Sequence, residues 1–296
     1  MKREPNIGVL GLPGAWSSET LAQAVGKKTG RGRLYDASEL TLDLSSKEVL
    51  CGGESLNSLD ALVVKKIGAP YSPDLLNRLE ILRFLEGRGV RIVNRPGAML
   101  SLLNRLACTV TLASAGIPMP STMVTESLAK AKEAVRRFGT AILKPLYTSK
   151  SRGMVWVRET PDMDEILQRF REENRIFYIQ KAVSFGERDL GLLFLDGRYL
   201  CTYARMGRDE GGRSLGYAGF EPEPDVIKLA ERAQKPFGLD FTCVDVALTG
   251  SGPMVFEVSA FGGFRGALEA CDMDVADRLT SWVLTQVSGK ERDCGT

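Results

Sequence analysis

Two short apolar runs near the end of the chain each carry a single acid: Val244-Asp245-Val246 and Met254-Val-Phe-Glu257-Val-Ser259. If both runs are strands joined by the turn Thr249-Gly-Ser-Gly-Pro253, alternation places Asp245 and Glu257 on one side of a hairpin, facing each other. Adjacent carboxylates repel unless a cation sits between them. Magnesium suits such a pair, because it takes hard oxygen ligands, usually one or two carboxylates plus substrate phosphates. The plainer alternative is a solvated hairpin face with two unrelated acids.

Four further groups have types suited to phosphate chemistry. Ala141-Ile-Leu-Lys144 ends an apolar run in a lysine that can reach a phosphate while its stem packs on apolar neighbours; otherwise it snorkels to solvent. Leu146–Gly153 combines hydroxyls, cations and one glycine, which suits an anion, although an ordinary polar turn has the same composition. It is not a Walker A loop, which needs GxxxxGK[ST] before a helix. Ile176–Val183 is extended, and its backbone can read an adenine edge, with an acid in Glu187-Arg-Asp189 for a ribose hydroxyl; a linker is the alternative. Arg205, Arg208 and Arg213 border a glycine-rich stretch and suit phosphate or carboxylate, or a mobile charged loop. Lys65 and Lys66 end a strand pattern, where α/β sheets present ligand groups, and are candidates for a substrate carboxylate or plain surface residues.

The elements that must carry these groups follow from periodicity. Strand patterns at Ile7–Leu12, Leu59–Ile67 and Gly89–Val93 alternate with a capped helix start at Ser17–Thr20 and an amphipathic helix over Asp74–Leu85, which implies a parallel sheet covered on both sides. Gly8-Val-Leu-Gly11-Leu-Pro-Gly14 is not the dinucleotide fingerprint GxGxxG. After a break at Asn94–Gly97, one helix is predicted from Met99 to Ala115, stopped by Gly116, Pro118 and Pro120. Strands are predicted at 122–124, 141–144, 154–158 and 176–181, with helices at 128–138 and 161–170. Asp196-Gly197 between Leu190–Leu195 and Tyr199–Arg205 signals a tight hairpin. Residues 207–219, with five glycines, read as a flexible loop. Helices are predicted at 226–237 and 274–287, with strands at 241–248 and 254–258 between them.

Composition removes other chemistries. The 296 residues include no histidine, which excludes Ser-His-Asp and Cys-His catalysis and histidine metal ligation. Six cysteines are present without a CxxC pair, so they read mostly as small core residues and not as a zinc site. A net charge of +2 gives no strong field for nucleic acid or membrane. No apolar run approaches the roughly 20 residues of a membrane span, and the N-terminal apolar stretch lacks the length and cleavage site of a signal peptide, so a cytoplasmic protein is expected.

Taken in order, these groups resemble the ATP-grasp superfamily, and within it the RimK-like ligases. The resemblance spans nearly the whole chain and is strongest over residues 94–266. It implies a Rossmann-like pre-ATP-grasp domain over residues 1–94, a central ATP-grasp subdomain over 95–177, and a C-terminal subdomain with the metal carboxylates over 178–296. The fold class is then α/β, with α+β character in the C-terminal half. Asn104-Arg-Leu is similar to the family's Asp-Lys-Leu and implies Arg105 near phosphate. Leu112-Ala-Ser-Ala-Gly-Ile-Pro-Met-Pro-Ser-Thr122 is similar to its helix ending in Gly-Ile-Pro-x-Pro-x-Thr. By the same resemblance Lys144 takes the α- and β-phosphates, and Ser149, Lys150 and Ser151 lie in the phosphate-covering loop. Gln180, Lys181, Ala182 and Val183 form the adenine hinge, and Asp189 matches the first residue of Asp-Ile-Arg. Arg205 and Arg213 hold ATP or the reacting phosphate, with Ser214 beside them. Asp245, Glu257 and Ser259 hold Mg2+ or Mn2+.

The chain departs from that pattern at Ser259 and Gly191, where the family has asparagine and arginine. It departs again at Leu215, where Arg-Ser-Asn becomes Arg213-Ser214-Leu215, and at the missing proline of Ser259–Gly266. ATP binding is thus better supported than the customary substrate. The implied reaction joins a small-molecule or peptide carboxylate to an amine or amino acid through an acyl phosphate; this architecture often forms symmetric homo-oligomers, and the sequence leaves the state of this chain open. Kinase chemistry on the same fold and a nucleotide-binding regulator without turnover are the alternatives.

Overall fold

The computed structural model describes residues 4–69, 71–148, 152–208 and 214–288. The chain begins with β1 (Ile7–Gly11), α1 (Trp16–Thr29) and β2 (Arg33–Asp36). Three short strands follow, β3 (Leu40–Asp43), β4 (Glu48–Cys51) and β5 (Glu54–Ser55), then β6 (Ala61–Val64), α2 (Leu75–Gly87) and β7 (Arg91–Val93). Strands β2, β1, β6 and β7 lie in that order, and every neighbouring pair is parallel. The central strand β1 is buried along its whole length, as a strand between two covered faces must be. The three-stranded sheet of β3, β4 and β5 was missed by periodicity, because its strands are two to four residues long and half exposed.

The predicted helix over Met99–Ala115 is two helices, α3 (Pro96–Leu103) and α4 (Arg105–Ser114), which meet at 102°. Asn104 makes the break: its backbone is extended and its Oδ1 accepts from the Ala107 N–H at 2.9 Å, capping α4. The following elements are β8 (Thr122–Thr125), α5 (Leu128–Phe138), β9 (Thr140–Leu143), β10 (Val155–Arg158), α6 (Met163–Glu173) and β11 (Phe177–Lys181). The strands make an antiparallel sheet in the order β10, β9, β11, β8. Helices α5 and α6 cover it through Ala131, Val135, Leu167 and Phe170, whose spacing is that of a helical stripe.

The last sheet holds β12 (Phe185–Leu195), β13 (Arg198–Arg208), β14 (Ser214–Gly219), β15 (Phe241–Thr249) and β16 (Gly252–Ser259), with α7 (Pro224–Gln234) between β14 and β15. Its order is β14, β13, β12, β15, β16, antiparallel throughout. Asp196 and Gly197 take φ of 53° and 71°, the left-handed pair that a two-residue hairpin requires. The expected loop over 207–219 is corrected in its second half, which is edge strand β14, pairing Ser214 to Arg208 and Gly219 to Tyr203. Glycines hide such a strand from a propensity argument; the ladder is built by backbone alone.

Helices α8 (Phe264–Cys271) and α9 (Val275–Val287) are the last of the described elements, and α9 returns to pack on α1 within a core shared by β1, β6 and one face of the last sheet. Among the described residues no single helix is long and apolar enough to cross a membrane. Of the five described cysteines, Cys51, Cys108, Cys201 and Cys243 are buried and Cys271 half-buried, and all five are free thiols.

The predicted break at Asn94 is a joint between the first and last sheets. Asn94 is buried, its Nδ2 donates to the Phe241 and Ala260 carbonyls at 2.8 and 3.3 Å, and its Oδ1 accepts from the Phe241 N–H at 2.7 Å. These bonds fix the start of β15 and the end of β16, the two strands that bear the acids. Asn94→Ala leaves all three backbone groups unpaired in a dry place and should cost about 3 kcal/mol or more, measured by urea unfolding. A cost near zero would contradict the joint.

Candidate active site

Asp245 and Glu257 are direct partners in the β15–β16 ladder, so the two carboxylates do share one face. The register slips just past Asp245: Val246 pairs with Val255 and Phe256 is the extra residue, a bulge of the kind that re-aims side chains. Ser259 pairs with Cys243 one step along the same face. Its Oγ accepts from the Phe261 N–H at 3.2 Å, which orients the hydroxyl.

A cation already lies on this pair. Arg205 of β13 donates from Nη2 to Asp245 Oδ1 at 2.6 Å and from Nη1 to Asp189 Oδ1 at 3.4 Å. Burial opposes its charge, but Asp245, with Asp189 behind it, holds the guanidinium firmly protonated. Glu257 has its proton affinity raised, first by burial and then by the charge of Asp245, while Arg105, Arg205 and Lys144 pull it back down. Two half-buried acids and three cations thus meet on one wall, with perturbed proton affinities of the kind that cluster at functional sites.

Lys144 follows β9 and is buried. Its Nζ donates to Gln180 Oε1 at 2.5 Å and lies 5.7 Å from the centre of the Phe256 ring. Burial, reinforced by Arg105, brings its pKa down to about 7, against the opposing pull of Glu257. Gln180 is held in turn: its Nε2 donates to Thr122 Oγ1 at 3.0 Å. The predicted hinge glutamine therefore steadies Lys144 with its side chain. The N–H groups of Lys181 and Ala182 donate to Ser121 and Thr140 carbonyls at 2.8 and 2.9 Å, so two backbone donors expected to be free are used by the protein.

Arg105 begins α4 and ties down the loop after Lys144, donating to the Pro145 and Thr148 carbonyls at 3.3 Å each, while its N–H donates to the Leu146 carbonyl at 3.0 Å. Between α4, this loop and β16 lies a pocket of about 20 Å³, with Tyr71, Arg105, Thr148 and Glu257 among its walls. Its floor includes Cys108, whose thiol burial pushes up to about 12, an inert core sulfur.

The structure thus brings together Arg105, Lys144, Gln180, Asp189, Arg205, Asp245, Glu257 and Ser259. Ser214 opens β14 and donates its hydroxyl to the Gly216 carbonyl at 2.6 Å. Ser149, Lys150, Ser151 and Arg213 lie outside the described residues. Lys65 is not held out at its strand end: its ammonium is buried, donates to the Phe261 carbonyl at 2.5 Å and sits 3.8 Å from the centre of the Phe264 ring. It steadies the loop after Ser259 in place of meeting a carboxylate from solution. Sequence reasoning missed Tyr71, Tyr178 and Tyr203. Alternation on β11 could have found Tyr178, which shares a face with Gln180 and bonds Thr109 Oγ1 at 2.8 Å. Tyr71 and Tyr203 carry no local signal.

Solved structures define the class. The structure of the ATP-grasp ligase PsnB complexed with a phosphomimetic variant of its minimal precursor, Mg and ADP matches with a TM-score of 0.75 at 17% identity, over 97% of this chain and 100% of that one. The RimK domain protein ATP-grasp from Sphaerobacter thermophilus matches at 0.74 and 20% identity, over 94% and 98%. The fold is that of the ATP-grasp proteins. Residues 103–283 match the RimK-like ATP-grasp domain, and the chain belongs to that family. A tetrahydromethanopterin:alpha-L-glutamate ligase of Methanosarcina acetivorans is 25% identical over 310 residues, covering 92% of this chain and 96% of that protein. The resemblance read from the ordered motifs is borne out, as is the α/β class with antiparallel sheets in the C-terminal half.

A phosphate placed against Lys144 restores the charge that burial suppresses, so nucleotide binding should take up a proton between about pH 7 and the unperturbed lysine value near 10.4. Calorimetry with MgADP at pH 8.5 in two buffers of different ionisation enthalpy should report most of one proton. Lys144→Arg, which stays charged, should bind without uptake. Equal uptake in both proteins would place the titration elsewhere.

Proposed function

We propose that this protein is an ATP-dependent carboxylate–amine ligase. The observation that carries the reading is the facing pair Asp245 and Glu257 within reach of Arg205, Lys144 and Arg105, in a chain of the RimK-like family. A carboxylate oxygen of the substrate attacks the γ-phosphorus of ATP, and the bond to ADP breaks. The amine nitrogen then attacks the acyl carbon, phosphate leaves, and the amine's proton passes to solvent or phosphate.

The residues fit a magnesium ion: two facing carboxylate oxygen donors, a serine hydroxyl beside them, and a raised proton affinity at Glu257 that a divalent cation would reverse. Asp245, Glu257 and Ser259 would hold it, and when bound it offsets charge on the phosphates. Lys144 and Arg205 place positive charge where the γ-phosphoryl group develops negative charge. Arg105 holds the loop after Lys144, and closing that loop on bound phosphates would help exclude water from an acyl phosphate. With the Lys181 and Ala182 amides occupied, adenine recognition falls to the carbonyl side of the hinge and to Val183. Positioning and charge neutralisation carry the reaction, which suits a protein without histidine.

Relatives named as alpha-L-glutamate ligases make an amino acid, glutamate first, the amine to try, with a small-molecule or peptide carboxylate as the acceptor. The ATP requirement and the free thiols suit the cytoplasm. The proposed division is a pre-ATP-grasp unit over 1–94 and two ATP-grasp subdomains over 95–177 and 178–296, the first of Rossmann type.

The test is release of ADP and phosphate against pooled carboxylates with and without amino acids. Ligation predicts phosphate release that depends on the amine, and Asp245→Asn combined with Glu257→Gln should lower it roughly 100-fold or more. A stable phosphorylated product would point to a kinase instead. Tight ATP binding without ADP formation across the panel would point to a regulator.

A further inference from the structure

Tyr203 is nearly fully buried, yet its hydroxyl ends among the charged groups of the site. Three observations define its place. First, the ring lies in a slot between two glycines: a Cβ at Gly191 would come within 2.5 Å of Tyr203 Cζ, and one at Gly266 within 2.6 Å of Cδ2. Gly191 is its partner across β12 and Gly266 lies on α8, so a side chain at either position displaces the ring. Second, the phenol oxygen accepts from Arg205 Nη2 at 3.2 Å, and that same nitrogen donates to Asp245 Oδ1 at 2.6 Å. Third, Tyr203 Oη and Cys243 Sγ lie 3.6 Å apart, and Cys243 Sγ lies 3.6 Å from Asp245 Oδ1, which closes a circuit of contacts through Arg205 Nη2.

We infer that Tyr203 is a positioning residue of this site, wedged between Gly191 and Gly266 so that its hydroxyl aims the Arg205 guanidinium at Asp245. The inference rests on the proposed role of Arg205 at the nucleotide phosphates. It accounts for the absence of a side chain at position 191: the space a longer residue would enter is filled from β13 by a neutral ring. The guanidinium, held by the phenol on one edge and by Asp245 and Asp189 on the others, has little freedom to turn. The Tyr217 ring, edge-on at 5.4 Å, keeps the phenol from swinging toward β14.

Two measurements test this. Calorimetry with MgAMP-PNP should show Tyr203→Phe, which keeps the ring and loses the hydroxyl, binding roughly fivefold more weakly. In the Arg205→Met background the same change should have no effect, because no guanidinium is left to aim. Wild-type affinity in Tyr203→Phe, or an equal loss in both backgrounds, overturns the aiming role. The second measurement needs no nucleotide, so it separates this inference from the ligase reading. Gly191→Ala should lower the melting temperature by roughly 3–10 °C in the wild type and by much less in Tyr203→Ala, where the slot is open. An equal drop in both overturns the wedge.

Discussion

Two carboxylates facing across a hairpin cannot both stay ionised in a half-buried wall unless positive charge stands beside them. That constraint organises the site from Asp245 and Glu257 outward. Arg205 answers Asp245 directly, and Arg105, Arg205 and Lys144 together offset the charge of Glu257. Each cation comes from a different element: β13 carries Arg205, α4 carries Arg105, and Lys144 follows β9. The sheets therefore have to be held in register with one another before the charges can balance. Asn94 at the joint of the first and last sheets, and Arg105 between α4 and the loop after Lys144, are the fasteners that do this.

The cations are restrained as carefully as the acids. Lys144 is bound by Gln180, which is bound by Thr122; Arg205 is bound by Asp189, Asp245 and Tyr203. A fixed arrangement of charge suits a reaction in which the protein supplies little covalent chemistry and much preorganised electrostatics. It also gives Lys144 a depressed pKa and Glu257 a raised one, both set by burial first. A polyanion bound here with its metal, as the proposed function requires, would relieve both.

Much of this was legible in the sequence where the signal is local. Alternation around Asp245 and Glu257 predicted their facing positions, and the Asp196-Gly197 turn predicted the hairpin between β12 and β13. The apolar strand ending in Lys144 predicted a cation at the edge of a core, although not that Gln180 would hold it. What escaped was set by partners far along the chain. Asn104 looks like one polar residue in a helical run until its cap on α4 is seen. Gly216 and Gly219 read as loop because strand β14 exists only through its ladder with β13. Lys65 looked available at a strand end, but the loop between β16 and α8 folds over it. Tyr203 had no local mark at all; its slot is made by Gly191 and Gly266, 12 and 63 residues away in the chain. The family resemblance carried the site further than any single motif, because it joined groups that local patterns leave separate.

The central claim is that Asp245 and Glu257 hold the metal of bound ATP. Its most direct test is the linkage between metal and nucleotide: the affinity for AMP-PNP with and without Mg2+, in the wild type and in Glu257→Gln. The account predicts that Mg2+ tightens nucleotide binding strongly in the wild type and hardly at all in the variant, whose metal-free affinity is unchanged or improved because a negative charge has been removed. An equal gain from Mg2+ in both proteins would contradict it and place the metal elsewhere.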